Sequence, residues 1–377
     1  VTLTEIPSQT GSGSGSEELE ALAELAETVF GDVDVETTKS PAYSHEAVSD
    51  EHDRRLWRTL ADTGLLAAVL PEAEGGGGTG IPGMVRLLIE AGAALARIPL
   101  VETLIAATNV AESGTDAQRE RILPGVMAGE LVITAALTEH PSLIAHPLTL
   151  ADHKLTGITQ FVPYPLSSDS VLVPARTPSG HEVLVLVSLS TARIGDQVPT
   201  TGEPLGILEF IDADVKDVVD AAPRARQLAA LFASAELCGI GAKALAMTAE
   251  YVSGRLQFGH PLASFQAVAL RAADRYIDSR AMQAACWEAA RHAAGSDHAS
   301  PRAGYAVAAA KIWAADGTRR IVGSAHHLHG GFGVDVTYPL HRYHAWARYW
   351  EMYGGSAAAW SADLGALIAA HPIEEDE

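Results

Sequence analysis

Cysteine is almost missing from this chain: only Cys238 and Cys286 occur among 377 residues. Both sit in apolar, helix-patterned segments, which points to buried thiols and away from a disulfide framework or a thiolate metal site. Basic charge is scarce as well. Lys and Arg number 26 against 47 Asp and Glu, for a formal net charge of −21. That balance excludes a nucleic-acid surface, which needs clustered cations. Any anionic ligand must therefore be held by local cations against an unfavourable overall field. No uncharged apolar run of about 18 residues is flanked as a membrane span requires. No basic stretch leads into a short apolar one as in a secretory leader. The expectation is a cytoplasmic chain with no membrane contact, and no internal repeat is visible.

What is present is globular: hydrophobic residues make up 47% of the chain, enough for two or three domains around a large core. Residues 1–16, rich in Ser, Gly and Thr, read as a disordered tail. Residues 17–128 read as an N-terminal helical domain. Within it, Leu56, Leu60 and Leu65 mark a helix over 54–66, with Gly64 where it could end. Met84, Leu87, Leu88, Ala91 and Leu95 form a second apolar stripe, and Thr115 with Gln118 predicts a capping box. The glycine run 75–78 lacks the Gly-Lys-Ser/Thr ending of a phosphate loop and reads as a flexible connection.

Residues 129–219 change texture, with short β-rich runs at 131–137, 154–162, 170–173, 182–189 and 207–211 separated by Pro, Gly, Ser and Asp. They predict a middle β-domain. Residues 220–377 return to long helices, at roughly 224–254, 260–294, 301–322, 338–351 and 356–370. The segment 228–241 is apolar all round apart from Ser234 and Glu236, which places it in the middle of a bundle. The fold class expected is α+β, mostly α. The histidines His326, His327, His329, His341 and His344 have no recognised zinc spacing, so no metal site is expected.

Several landmarks in this order resemble the acyl-CoA dehydrogenase family: DTGLLAAVLPEAEGG, GTDAQRERILPGVMAGE, Leu137-Thr138-Glu139, Arg255-Leu256-Gln257-Phe258-Gly259, Gln266, and AHHLHGGFG leading to Tyr353-Gly354-Gly355-Ser356. They span most of the chain. In its details HHLHGGFGVDVTYPLHRY is most similar to subunits of heteromeric actinobacterial enzymes acting on steroid side-chain CoA thioesters. The resemblance implies an N-terminal helical domain, a middle β-domain and a C-terminal four-helix bundle, assembled as a tetramer. It also implies FAD as cofactor and a CoA thioester as substrate.

Desaturation of a thioester needs a base for the α-proton, a flavin for the β-hydride and donors to the thioester oxygen. By the family pattern, Arg255, Phe258, Gln266, His327, Gly330 and Gly331 would clamp the adenine-diphosphate part of an FAD bound mainly to a neighbouring subunit. Arg suits a diphosphate because its planar donors bind oxygens bidentately, and glycines allow close main-chain approach. Thr138 matches a residue on the flavin-ring side, whereas the second ring-side run reads Phe161-Val162-Pro163-Tyr164 and has lost a hydroxyl donor. The family's glutamate base is missing: Gly354 holds its usual place, and the alternative place falls at Ala229 or Ala230. Glu236, and more remotely Glu351, are the substitutes within reach.

The reading that follows is a half-site subunit sharing FAD with a second acyl-CoA dehydrogenase-like chain. The alternatives are a self-sufficient homotetramer with Glu236 as base, a scaffold kept for binding or assembly, and another flavin reaction on the same fold.

Overall fold

The computed structural model describes residues 14–33, 51–141, 144, 147–219 and 221–372. The chain opens with a helical layer: α1 (Ser14–Gly31), α2 (Arg54–Asp62), α3 (Leu65–Ala68), α4 (Gly80–Ala94), α5 (Leu100–Ser113) and α6 (Asp116–Met127). Helix α1 starts inside the expected tail, whose earlier residues lie outside those described. The helix expected over 54–66 is divided, because Gly64 turns left-handed at φ 77° and separates α2 from α3. The capping box forms as expected: Thr115 Oγ1 accepts from the Gln118 N–H, and the Thr115 N–H donates to Gln118 Oε1 at 2.8 Å.

One expectation fails here because of tight packing. The 75–78 stretch is not a loose connection, since the N–H groups of Gly76, Gly77 and Gly78 donate to the carbonyls of Pro71, Ala67 and Leu70. The apolar stripe of α4 is buried, and burial extends around it to every residue from Gly83 to Gly92, because a second helical layer covers its other face.

Eight strands follow: β1 (Ile133–Ala135), β2 (Leu148–Ala151), β3 (Lys154–Pro163), β4 (Ser170–Arg176), β5 (Glu182–Ser188), β6 (Arg193–Gln197), β7 (Leu205–Asp214) and β8 (Asp217–Val219). Their order is β6-β7-β3-β2-β4-β5-β8, with β1 parallel beside β4. Strands β2, β6 and β8 were not legible in the sequence, being short and half polar. Alternation on β4 and β5 divides the sheet's two faces. Leu172, Leu184 and Leu186 join the main helical core, while Val171, Val173, Val183, Val185 and Val187 fill the sheet's own core.

The C-terminal part holds α7 (Ala222–Gly254), a hairpin of β9 (Leu256–Gln257) and β10 (His260–Pro261), α8 (Gln266–Ala294), α9 (Pro301–His329), α10 (Leu340–Met352) and α11 (Ala357–Ala370). Helix α8 begins at Gln266 and not near residue 260, because His260 pairs with Gln257 in the hairpin. Helix α7 has the length and apolarity of a membrane span, yet 94% of that window is buried inside the fold. All residues from Leu228 to Ala242 are buried, and α4 crosses α7 at glycine contacts. A Cβ on Gly239 would meet Ile89 O at 1.9 Å, and one on Gly92 would meet Glu236 O at 2.3 Å. Both cysteines are buried and free, as expected.

Candidate active site

The loop joining α10 to α11 carries Gly354. Ser356 starts α11 by accepting the Ala359 N–H on its hydroxyl. Lys311, fully buried on α9, donates through Nζ to Trp350 O at 2.7 Å and Glu351 O at 3.3 Å, capping the end of α10. Burial presses its ammonium down to about 7. Both main-chain groups of Gly354 are taken: its N–H donates to Thr138 O at 2.8 Å, and Trp360 Nε1 donates to its carbonyl at 3.0 Å. The Tyr353 hydroxyl donates to Glu102 Oε1 at 2.9 Å. All three parts of the fold thus pin this loop.

A Cβ on Gly354 would stand 3.6 Å from Ala229 Cβ and 3.8 Å from Ala230 N. The two base positions inferred from sequence therefore converge on one point, and neither offers an acceptor. Beside them lies a cavity of about 380 Å³ lined by Ala229, Gly354, Glu139, His140, Arg226 and Asp363. His140 Nε2 lies 2.8 Å from Asp363 Oδ2, and Arg226 pairs with Glu182. Glu139 makes no ion pair or side-chain hydrogen bond among the described residues, and partial burial raises its carboxyl above the usual range. Sequence reasoning passed over Glu139 as a base and over His140 and Asp363 altogether. Glu139 stood in plain view, next to Thr138.

A second cavity of about 350 Å³ adjoins the first, sharing Glu139 and His140 and lined also by Thr138, Phe161, Thr201, Tyr349 and Met352. Thr138 and Phe161 are thus together, as the ring-side reading requires. The Thr138 hydroxyl donates to Phe161 O at 3.0 Å, and the Phe161 N–H donates to Gln197 Oε1 at 2.7 Å. Phe161 adopts φ 54° at a break in the β3–β7 register.

Behind Tyr349 and Tyr353 lie three buried carboxyls, Glu102, Glu203 and Glu236. Burial lifts Glu102 and Glu203 to about 7, with Arg97 opposing the rise at Glu203 from 3.0 Å. Glu236 is pushed well above its ordinary value by burial and by the other two, but it lines neither cavity. These groups carry a pH prediction. Glu102 and Glu203 bind protons in the folded state that the unfolded chain has released above its ordinary 4.5. The contribution of these two groups to stability therefore falls as pH rises from 4.5 to about 7 and levels off beyond. Each group contributes on the order of 3 kcal/mol to that fall. Urea melts at pH 5 and pH 7 should show it, and Glu102→Gln should flatten the slope. A flat profile in the unsubstituted protein would contradict this assignment.

The remaining predicted residues gather at one end of the bundle. Tyr251 near the end of α7 stacks on His329 at 4.2 Å and Phe332 at 5.5 Å, joining the C-terminal ends of α7 and α9. Arg255 follows α7, Gln266 opens α8, and His327, Gly330 and Gly331 close α9; all are exposed. Phe258 stands 89% exposed on the hairpin at φ 54°. Arg255 has no ion pair among the described residues. No atom lies within 4 Å of a Cβ built on Gly330 or Gly331, so the main chain there is open to a close-fitting ligand. This end fits the nucleotide tail of a flavin: a free guanidinium, an amide, an imidazole and bare main chain.

The other histidines have structural partners. His329 and His341 hydrogen-bond to the carbonyls of Ala325 and Tyr338, and His326 packs edge-on against His344. No metal-type cluster occurs among the described residues.

Residues of the sheet region and of the bundle line both cavities, and the helical layer reaches them through the Tyr353–Glu102 hydrogen bond. Matches to acyl-CoA dehydrogenase N-terminal and C-terminal domains cover residues 16–130 and 227–363. The chain belongs to the acyl-CoA dehydrogenase family. It is 33% identical to acyl-CoA dehydrogenase FadE27 of Mycobacterium tuberculosis, covering 93% of this chain and 98% of that one. Among solved structures it is similar to a variant of the Tcur3481-Tcur3483 steroid ACAD, with TM-score 0.87, 36% identity and coverage of 95% and 99%. It is also similar to the ChsE4-ChsE5 complex from M. tuberculosis, with TM-score 0.85, 30% identity and coverage of 99% and 100%.

Proposed function

We propose that this chain is a half-site subunit of a heteromeric, FAD-dependent acyl-CoA dehydrogenase that desaturates a bulky, steroid-derived CoA thioester in the cytoplasm. The observation that carries this reading is the convergence of Gly354 and Ala229, at 3.6 Å, without a side chain that can accept a proton. The main-chain groups of Gly354 and the hydroxyl of Thr138 are also already bonded within the chain. Relatives described as a steroid enzyme and as a two-chain complex support the same assignment.

Bound FAD supplies the hydride acceptor for this class of reaction. Arg255 would neutralise the flavin's diphosphate, with Gln266 and His327 donating to its oxygens. Phe258 would cover an apolar face, and Gly330 and Gly331 would admit the tail against the main chain. The base and the ring pocket would come from the second chain. Co-expression with the chain encoded beside it, followed by counting FAD per assembly, tests this. Two flavins per four subunits is the expected result, and four would contradict it.

A second reading, a self-sufficient homotetramer, gains from Glu139, whose raised carboxyl lines both cavities. On that reading the lone chain purifies yellow, bleaches with an acyl-CoA, and loses bleaching in Glu139→Gln. Glu236→Gln makes the same test of the buried alternative.

Restoring Gly354→Glu in the lone chain should not restore activity. The site has room for a Cβ, but φ is 68°. The substitution should therefore cost about 1 kcal/mol of stability and leave the ring side unchanged. Turnover of an acyl-CoA by that variant would count against the half-site reading.

A further inference from the structure

On the half-site reading the flavin ring and the thioester are held by the second chain, so the cleft of this chain is spare. Side chains do not fill it. Its two cavities, of about 350 and 380 Å³, meet at Glu139 and His140, and each has the size of a small-molecule site. The chemistry expected of the family has no foothold there. Gly354 and Ala229 carry no acceptor where they approach, and the Thr138 hydroxyl is bonded to Phe161 O.

Charge in the cleft is one-sided. Each cation on its walls already has an anion: Arg226 pairs with Glu182, and Arg348 pairs with Glu351 on its own helix. His140 Nε2 lies 2.8 Å from Asp363 Oδ2. Glu139, the acid that both cavities share, has no ion pair or side-chain hydrogen bond among the described residues. Burial raises its carboxyl, and no neighbouring cation draws it back. Aromatic side chains complete the walls: Phe161, Tyr349 and Tyr353 line one cavity, and Trp360 lines the other. Ring faces attract cations through their quadrupole, and a half-buried carboxylate does so more strongly than one in open water.

We infer that this cleft binds a small organic cation, a protonated amine or a quaternary ammonium on an apolar body, with Glu139 as its counter-ion. The inference rests on the half-site reading and adds a ligand for the cleft which that reading leaves spare. An anion of the same shape would meet Glu139 and Asp363, with no unpaired cation among the described lining residues to receive it. The net charge of −21 opposes it further. A CoA thioester, with its phosphates, is the extreme case. A neutral ligand would leave Glu139 without a counter-ion.

The test titrates octyltrimethylammonium, below its micelle-forming concentration, into the full chain alone and in the co-expressed assembly, read by calorimetry. Saturation at a single site per copy of this chain is expected. Octanoate, the anion of matching chain length, should bind about tenfold more weakly or worse. Glu139→Gln should lower the cation affinity about tenfold or more. Glu139→Lys should turn the preference towards octanoate, and thermal melts check that both variants fold. No saturable binding, or equal binding by Glu139→Gln, would overturn the inference and leave the half-site reading standing, because the flavin count does not depend on it. Octanoyl-CoA displacing the cation from the lone chain would overturn the inference and count against the half-site reading as well. Four flavins per four subunits would remove the half-site reading, and the spare cleft with it.

Discussion

In the two-chain assembly, Arg255→Ala should weaken FAD retention by about 10- to 100-fold, the loss of one or two charge-assisted hydrogen bonds to a diphosphate. Arg255 is exposed and has no ion pair among the described residues, so the substitution takes no internal contact from the fold. Phe258→Ala should act in the same direction, because its ring is 89% exposed and packs on its own chain only edge-on against Phe265. The readout is flavin absorbance per assembled particle after gel filtration, with dissociation followed by fluorescence of released FAD. If both variants keep their full flavin at low protein concentration, the clamp lies elsewhere. Glu236→Gln serves as the contrast: it lines neither cavity, and turnover by the assembly should stay unchanged.

Gly239→Ala should be the most damaging single substitution for folding. One methyl group would sit 1.9 Å from Ile89 O and 2.7 Å from Ala93 N, both main-chain atoms of α4. Backbone cannot move aside as a flexible side chain can, so α4 and α7 must separate along a crossing where Gly239 and the α4 residues Gly83 to Gly92 are all buried. A loss of about 4 kcal/mol or more is expected, seen as a collapse in soluble yield or in the urea midpoint. Gly365→Ala on α11 is the control. No atom lies within 4 Å of its added Cβ, and the helix should gain up to about 1 kcal/mol. Equal stability of the two variants would mean that α4 and α7 do not cross as closely as described.

How much of this was legible beforehand depended on whether the signal was local. The capping box at Thr115 and the run 228–241, apolar apart from Ser234 and Glu236, are read directly from neighbouring residues, and both appear as expected. Gly354 and Ala229, counted from separate motifs, meet in space. What the sequence hid was long-range. Glu102 and Glu203 come from separate segments, and nothing local to either announces that it meets the Glu236 already singled out on α7. The His140–Asp363 pair joins residues 223 positions apart. The double-sided burial of α4 arises because another helix covers its second face, which no periodicity within α4 can announce.

The bare hairpin has a consequence for supply inside a cell. An aromatic ring standing in water at a left-handed backbone position, next to Leu256 at 61% exposure, is a ready target for proteases and for chance adhesion. Copies made in excess of their recipient would be trimmed or clump. On the proposed two-chain reading, the output of finished enzyme would then track how evenly the two polypeptides are synthesised, more than how much of either is made.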